Sequence, residues 1–111
     1  IKFAMPSCYF CTFKDSIMSI YHCSCNYEPH LYRYAEMSDV LGLFAPNPVV
    51  IVAGKHDRIF PIKAVRKAFE KLKGIYAGMG AVDRCHLIVG SEGHRFYSDI
   101  SWPIMINELN R

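Results

Sequence analysis

The chain has 111 residues, of which 51% are hydrophobic, 21% are charged and 14% are aromatic, and its formal net charge is +3. This composition is typical of one globular domain and excludes a disordered chain. The charge is mild and no basic cluster is present, which argues against nucleic-acid binding. No apolar run reaches the length of a membrane span.

The beginning of the chain is unusual because it has neither a start Met nor an export signal. It opens inside an apolar stretch, Ile-Lys-Phe-Ala-Met-Pro. We therefore expect a fragment of a longer protein. The five cysteines, without an export signal, favour reduced thiols and a cytoplasmic location.

The first part of the chain predicts little regular structure. Residues 1–6 predict a short buried strand, and residues 7–47 predict an irregular, aromatic-rich excursion. Within it, Asp15–Tyr21 has the apolar spacing of a helical turn. Residues 38–44 predict a short helix, with Ser38 as its N-cap.

The second part of the chain alternates between strand and helix patterns. Val49–Ala53 is a continuous apolar run that indicates a strand covered on both faces. An apolar stripe at helical spacing predicts a helix from Pro61 to about Gly78. Residues 85–89 predict another buried strand, and Tyr97–Asn110 predicts a final helix.

This order of elements predicts an α/β fold with a partial parallel sheet flanked by helices in three layers. We expect residues 1–111 to form one unit, in which residues 48–111 make a β-α-β-α arrangement. An exposed sheet edge at residues 1–6 would allow a second copy or a partner strand to pair there, giving a homo-oligomer.

Two titratable residues follow the two predicted strands of this arrangement. Asp57 comes shortly after the first strand and His94 after the second, and in open α/β sheets reactive groups gather at this edge. Acid before His is also the order of the last two members of a Ser-Asp-His triad in α/β-hydrolases. Gly54 and Gly93 are expected to let the backbone turn before each residue. His56 precedes the acid and fits this order poorly.

These segments resemble one branch of the α/β-hydrolases. The residues from Val49 to Pro61, and Gly-His-Arg-Phe-Tyr at 93–97, look like the C-terminal half of the acetyl xylan esterase-like or dienelactone hydrolase-like branch. The loop Cys-Ser-Cys-Asn-Tyr-Glu-Pro at 23–29 is similar to a loop of that branch. The resemblance implies a serine esterase that acts on acyl or acetyl esters, including carbohydrate esters, with Asp57 as triad acid and His94 as general base.

The nucleophile of such an enzyme is missing from this sequence. No Gly-x-Ser-x-Gly turn lies upstream of Asp57, and Gly-Ser-Glu-Gly at 90–93 lacks the required spacing. We therefore expect the Ser to lie outside this chain and the chain alone to be inactive. No metal or organic cofactor is implied.

Two other readings of the sequence stay open. One is a non-catalytic α/β domain for binding or structure, completed by a partner chain. The other is a zinc module, because four thiolates can close a tetrahedral site, and the chain has Cys8, Cys11, Cys23 and Cys25. Aromatic residues of the excursion could line a substrate pocket or serve as packing; these are Tyr9, Phe10, Phe13, Tyr21, Tyr27, Tyr32 and Tyr34.

Overall fold

A computed structural model describes all 111 residues, and in it a two-stranded parallel sheet is surrounded by helices. None of these helices is long and apolar enough to cross a membrane. The elements in chain order are α1 (Leu31–Tyr34), α2 (Met37–Gly42), β1 (Val49–Gly54), α3 (Ile62–Gly78), β2 (Cys85–Gly90) and α4 (Ser98–Leu109), with short 3-10 helices at Ser24–Asn26 and Val82–Arg84.

The sheet consists of β1 and β2, which pair in parallel from Val49 opposite Cys85 to Gly54 opposite Gly90. Every residue of β1 is buried, as expected for an apolar strand without alternation. The helix α3 is the crossover that makes the parallel pairing possible. The predicted α/β class, with a parallel sheet and helices, is confirmed at this level.

Helices lie on both faces of β1 because successive side chains of a strand point to opposite sides. Val49, Ile51 and Ala53 join a core cluster with residues of α3, including Val65, Leu72 and Tyr76. Val50 and Val52 join a smaller cluster with Tyr97 and with Met105 of α4. The strand is therefore fixed from both sides, which holds its carboxyl end in place.

The segment at residues 1–8 runs beside β1, where a strand was predicted over residues 1–6. It forms two isolated parallel bridges, Ala4 with Val49 and Ser7 with Val52. The amide of Cys8 also donates to the carbonyl of Val52, at 2.8 Å. The chain here follows the sheet edge without forming a continuous strand, and it delivers Cys8 to the carboxyl end of β1.

The start of α2 differs from the prediction that Ser38 is the N-cap. The helix begins at Met37 and its N-cap is Glu36. The amide of Glu36 donates to Asp39 Oδ2 at 2.8 Å, which satisfies the cap from within the first turn. Ser38 instead lies inside the helix and is buried. The prediction that Ser38 caps this helix is therefore wrong, because Glu36 and Asp39 form the cap.

Candidate functional site

The site begins where the two strands end side by side. Because the register places Gly54 opposite Gly90, the loops that follow both strands run together. The amide of Lys55 donates to the carbonyl of Gly90, and the amide of His56 donates to the carbonyl of Glu92, each at 2.9 Å. These bonds extend the strand pairing into the loops and bring the two predicted site residues to one place.

Asp57 is buried at the centre of this junction, with a side chain only 1% exposed. Its Oδ1 accepts hydrogen bonds from the amides of Ile59 at 2.8 Å and Phe60 at 3.1 Å. Its Oδ2 accepts from the His94 ring at 2.9 Å. The carboxylate thus shapes its own turn through one oxygen and contacts the imidazole through the other.

His94 is held at one ring nitrogen and open at the other. Its Nδ1 is bonded to Asp57, and a carboxylate at Nδ1 selects the tautomer whose Nε2 can accept a proton. The side chain is 45% exposed, and Nε2 makes no hydrogen bond within the chain. This arrangement is what a general base requires, namely an oriented imidazole with an accessible basic nitrogen.

The imidazole of His94 stacks on an aromatic ring. Phe60 lies parallel to the imidazole, with centroids 6.1 Å apart and planes 20° apart. Phe60 is buried, and its ring centroid lies 5.1 Å from that of Tyr9 and 5.8 Å from that of His22. Asp57 accepts from the amide of Phe60, so the same turn also positions the Phe60 ring beside His94.

The two glycines act differently from the expectation that they free the backbone to turn. Neither Gly54 nor Gly93 has a positive φ; Gly80 is the glycine in the left-handed region. Position 54 needs a glycine because there is no room for a side chain. A Cβ there would lie 2.1 Å from the carbonyl oxygen of Gly93. At Gly93 a Cβ would meet only His56 O at 3.7 Å, which is ordinary contact.

Cys8 is the residue of this site that the sequence reasoning did not assign to it. Its thiol donates to the carbonyl of Arg95 at 3.2 Å. Its sulfur lies within 4.8 Å of a carboxylate oxygen of Asp57 and of a ring nitrogen of His94. Burial is the main cause that raises the pKa of the Cys8 thiol, and the nearby Asp57 carboxylate adds to the shift. No local sequence pattern points to Cys8, because it is placed by the pairing of its segment beside β1.

A Ser–His contact joins Ser16 and His22. Their Oγ and Nε2 atoms are 3.1 Å apart, but the Ser16 hydroxyl also donates to the carbonyl of Ile59 at 2.5 Å. With its proton committed to that carbonyl, the hydroxyl accepts from the His22 ring. Ser16 is fully buried. The contact therefore anchors the Ile59 turn and supplies no activated nucleophile.

The four early cysteines do not come together as a zinc site. Cys8 and Cys11 are buried, whereas Cys23 and Cys25 are exposed. The Cys11 thiol donates to the carbonyl of Thr12 at 3.1 Å, and burial is the main cause that raises its pKa to about 12. The zinc-module hypothesis is wrong for this set of four, because two of its members are exposed, two are buried, and the four do not form one cluster of possible ligands.

Some of the predicted pocket aromatics line an apolar cavity of about 540 Å³ beside the site. Tyr9, Phe10 and Phe13 contribute to its wall, but Asp57 and His94 do not. Tyr9 lies between this cavity and the Asp57–His94 pair, because its ring also contacts Phe60. Its hydroxyl donates to Oδ1 of Asn26, another residue of the cavity wall, at 2.6 Å. The other predicted members, Tyr21, Tyr27, Tyr32 and Tyr34, do not line this cavity.

Comparisons with known proteins give one partial match. No family model matches the chain, and no solved structure matches it. A Bacillus subtilis (strain 168) protein named "Putative hydrolase YtaP" is 35% identical over 68 residues, which is 61% of this chain. The chain spans only 23% of the length of that relative. Over most of its own length, this chain is therefore similar to a part of one protein named as a hydrolase.

Proposed function

We propose that this chain is the acid–base part of a serine carboxylic-ester hydrolase that cleaves acetyl or acyl esters. The observation that carries the proposal is the 2.9 Å contact between Asp57 Oδ2 and His94 Nδ1 at the ends of two parallel strands. The relative named as a hydrolase supports the broader activity. The chain would form the C-terminal half of a three-layer α/β-hydrolase of the acetyl xylan esterase-like branch, in the cytoplasm.

In this proposal the Ser nucleophile comes from outside the chain. His94 Nε2 takes the Ser proton as the Ser oxygen attacks the ester carbonyl, and the same nitrogen then protonates the leaving alcohol. A water molecule deprotonated by His94 then attacks the acyl carbonyl, the bond from the acyl group to the Ser oxygen breaks, and His94 returns the proton to that oxygen. Asp57 stays ionised and stabilises the imidazolium that forms in each half of the reaction.

The test fuses this chain to the rest of the Bacillus relative, in place of that relative's own matched region, and measures hydrolysis of 4-nitrophenyl acetate. We expect turnover that His94→Ala abolishes and that Asp57→Asn lowers by about 10⁴ in kcat. His56→Ala is the matched control, because His56 is the exposed neighbour of the acid and should retain activity. Turnover that survives His94→Ala would contradict the proposal.

The rival function is a non-catalytic α/β domain that binds a partner. It is favoured by the apolar cavity, since 12 of its 15 lining residues are hydrophobic and it lies against the edge segment that holds Ala4 and Pro6. A partner strand or a second copy pairing at this edge would cover the cavity. The rival predicts a stable complex in solution whose formation does not depend on His94, together with no ester turnover in the fused enzyme.

A further inference from the structure

We propose that Cys8, Asp57 and His94 form a binding site for one thiophilic divalent cation, with Zn²⁺ as the best fit. The thiol sulfur, a carboxylate oxygen and an imidazole nitrogen of these residues lie within 4.8 Å of one another. Three separate segments bring them together. Cys8 comes from the segment at residues 1–8, Asp57 from the loop after β1 and His94 from the loop after β2. A cluster of this kind is a different site from the four early cysteines.

The donor set is the one that Zn²⁺ prefers in proteins. Thiolate, imidazole and carboxylate bind Zn²⁺ at about 2.0–2.3 Å, so neighbouring donors of a tetrahedron are about 3.3–3.7 Å apart. The His94–Asp57 contact of 2.9 Å would open slightly to reach this value, and the Cys8 sulfur is already within 4.8 Å of both donors. Three protein ligands leave a fourth position for water, as in zinc sites open to solvent.

The surroundings of the three donors favour this occupant over a hard cation. Ca²⁺ and Mg²⁺ need six or more oxygen ligands or retained waters, whereas this cluster offers one carboxylate whose other oxygen is used by the amides of Ile59 and Phe60. The half-exposed His94 ring gives the cation a path from solvent, while Cys8 and Asp57 form the buried floor.

Binding would exclude the acid–base role of the same residues, and this consequence rests on the proposed function. The Cys8 thiol gives up its proton to solvent and exchanges its bond to Arg95 for a metal–sulfur bond. The lone pair of His94 Nδ1 binds the cation, so the ring proton moves through solvent to Nε2. One proton is released in total, and Nε2 can no longer accept the proton of a nucleophile.

The binding test uses the 111-residue chain with Co²⁺ as the probe, followed by displacement with Zn²⁺. We expect one Co²⁺ per chain with a thiolate-to-cobalt charge-transfer band. Cys8→Ser and His94→Ala should each lower affinity by about a hundredfold or more, since even outer-shell partners contribute about 10–100-fold. The double variant Cys23→Ser/Cys25→Ser is the matched control and should bind as tightly as the original chain.

A second measurement needs no variant that could fail to fold. The ¹¹³Cd resonance of the cadmium-loaded chain should have the chemical shift of a site with one thiolate. A shift typical of two or more thiolates, or Co²⁺ binding lost in the Cys23/Cys25 double variant, would overturn the proposal, as would the absence of one-to-one binding.

Inhibition is measured separately on the fused esterase described above. Zn²⁺ should abolish turnover and a chelator should restore it. Binding without turnover in the metal-free fusion would count against the proposed function alone, whereas turnover that saturating Zn²⁺ leaves unchanged would overturn the regulatory consequence.

Discussion

Gly54 and Gly93 are in such close approach that no side chain fits between them. A Cβ at Gly54 would lie 2.1 Å from the carbonyl oxygen and 2.8 Å from the carbonyl carbon of Gly93. The loop that carries His94 therefore rests directly on the end of β1. This backbone contact sets the distance across which Asp57 and His94 meet.

Gly54→Ala should separate the two loops. The new methyl group would meet backbone atoms that cannot rotate away, so we expect a loss of about 1–3 kcal/mol in the free energy of unfolding and a broken Asp57–His94 contact. Urea denaturation measures the first effect. Gly74→Ala is the control: it lies inside α3, where a Cβ would meet nothing within 4 Å, and should stabilise by about 0.5–1 kcal/mol. Equal stability of both variants would contradict the packing argument.

Asp57 should contribute to stability as well as to the proposed chemistry. Asp57→Ala leaves the amides of Ile59 and Phe60 without their acceptor, and each buried unsatisfied group costs about 1–3 kcal/mol. Asp57→Asn retains an oxygen for these amides and should lose less. Urea denaturation of the two variants measures the difference, and an equally stable Ala variant would show that the turn does not depend on the carboxylate.

Glu108 should make stability sensitive to acid. Burial disfavours its charged form, but hydrogen bonds from His86, Arg84 and Arg111 outweigh this and lower its pKa below 4.5. Because the folded-state pKa is depressed, the stabilisation is complete above the unfolded pKa and is lost as pH falls through the folded pKa.

The measurement for Glu108 is the free energy of unfolding between neutral pH and about pH 3. Glu108→Gln should cost about 1–3 kcal/mol at neutral pH and should lose less than the original chain below about pH 4.5. Glu92→Gln is the control, because the Glu92–Arg95 pair is exposed on both sides and such pairs contribute little to stability. An unchanged acid profile in Glu108→Gln would contradict this assignment.

Tyr76 should make the fold sensitive to alkali. It is fully buried, and burial is the main cause that raises its pKa to about 12 from 10. Because the folded-state pKa is raised, its stabilisation is complete below the unfolded pKa and is lost as pH rises from 10 through about 12. The loss within this window is at most about 1.4 kcal/mol per pH unit for one group.

Tyr76→Phe tests this assignment. It removes the 2.7 Å hydrogen bond to the carbonyl of Asn47 and should cost about 1 kcal/mol at neutral pH. Its free energy of unfolding should then fall less steeply above pH 10 than that of the original chain. Tyr34→Phe is the control, since Tyr34 is 82% exposed. Parallel alkaline profiles for the original chain and Tyr76→Phe would contradict the prediction.

The regular part of the fold could be predicted because its sequence patterns are consistent with its packing. The apolar run at 49–53 needs cover on both faces, and the structure covers it with α3 and α4. The predicted final helix, Tyr97–Asn110, is present as Ser98–Leu109. Strand order and the right-handed crossover rule then bring Asp57 and His94 to one edge.

The remainder could not be predicted because it depends on contacts between distant residues. No local motif places Cys8 or Ser16. Cys8 is held by the carbonyls of Val52 and Arg95, and Ser16 is held by that of Ile59. Glu108 likewise gains its partners from β2 and its neighbourhood. Spacing among the cysteines suggested proximity, but sequence spacing does not fix burial, and the fold separates them.

The measurement that tests the account most directly is the tautomer of His94, read from ¹⁵N and ¹H NMR of the imidazole in the metal-free chain. We predict a ring proton on Nδ1 that is strongly hydrogen-bonded, that Asp57→Asn removes and that His56→Ala preserves. A ring protonated at Nε2, or an Nδ1 proton unaffected by Asp57→Asn, would contradict the pairing of acid and base on which the proposed function rests.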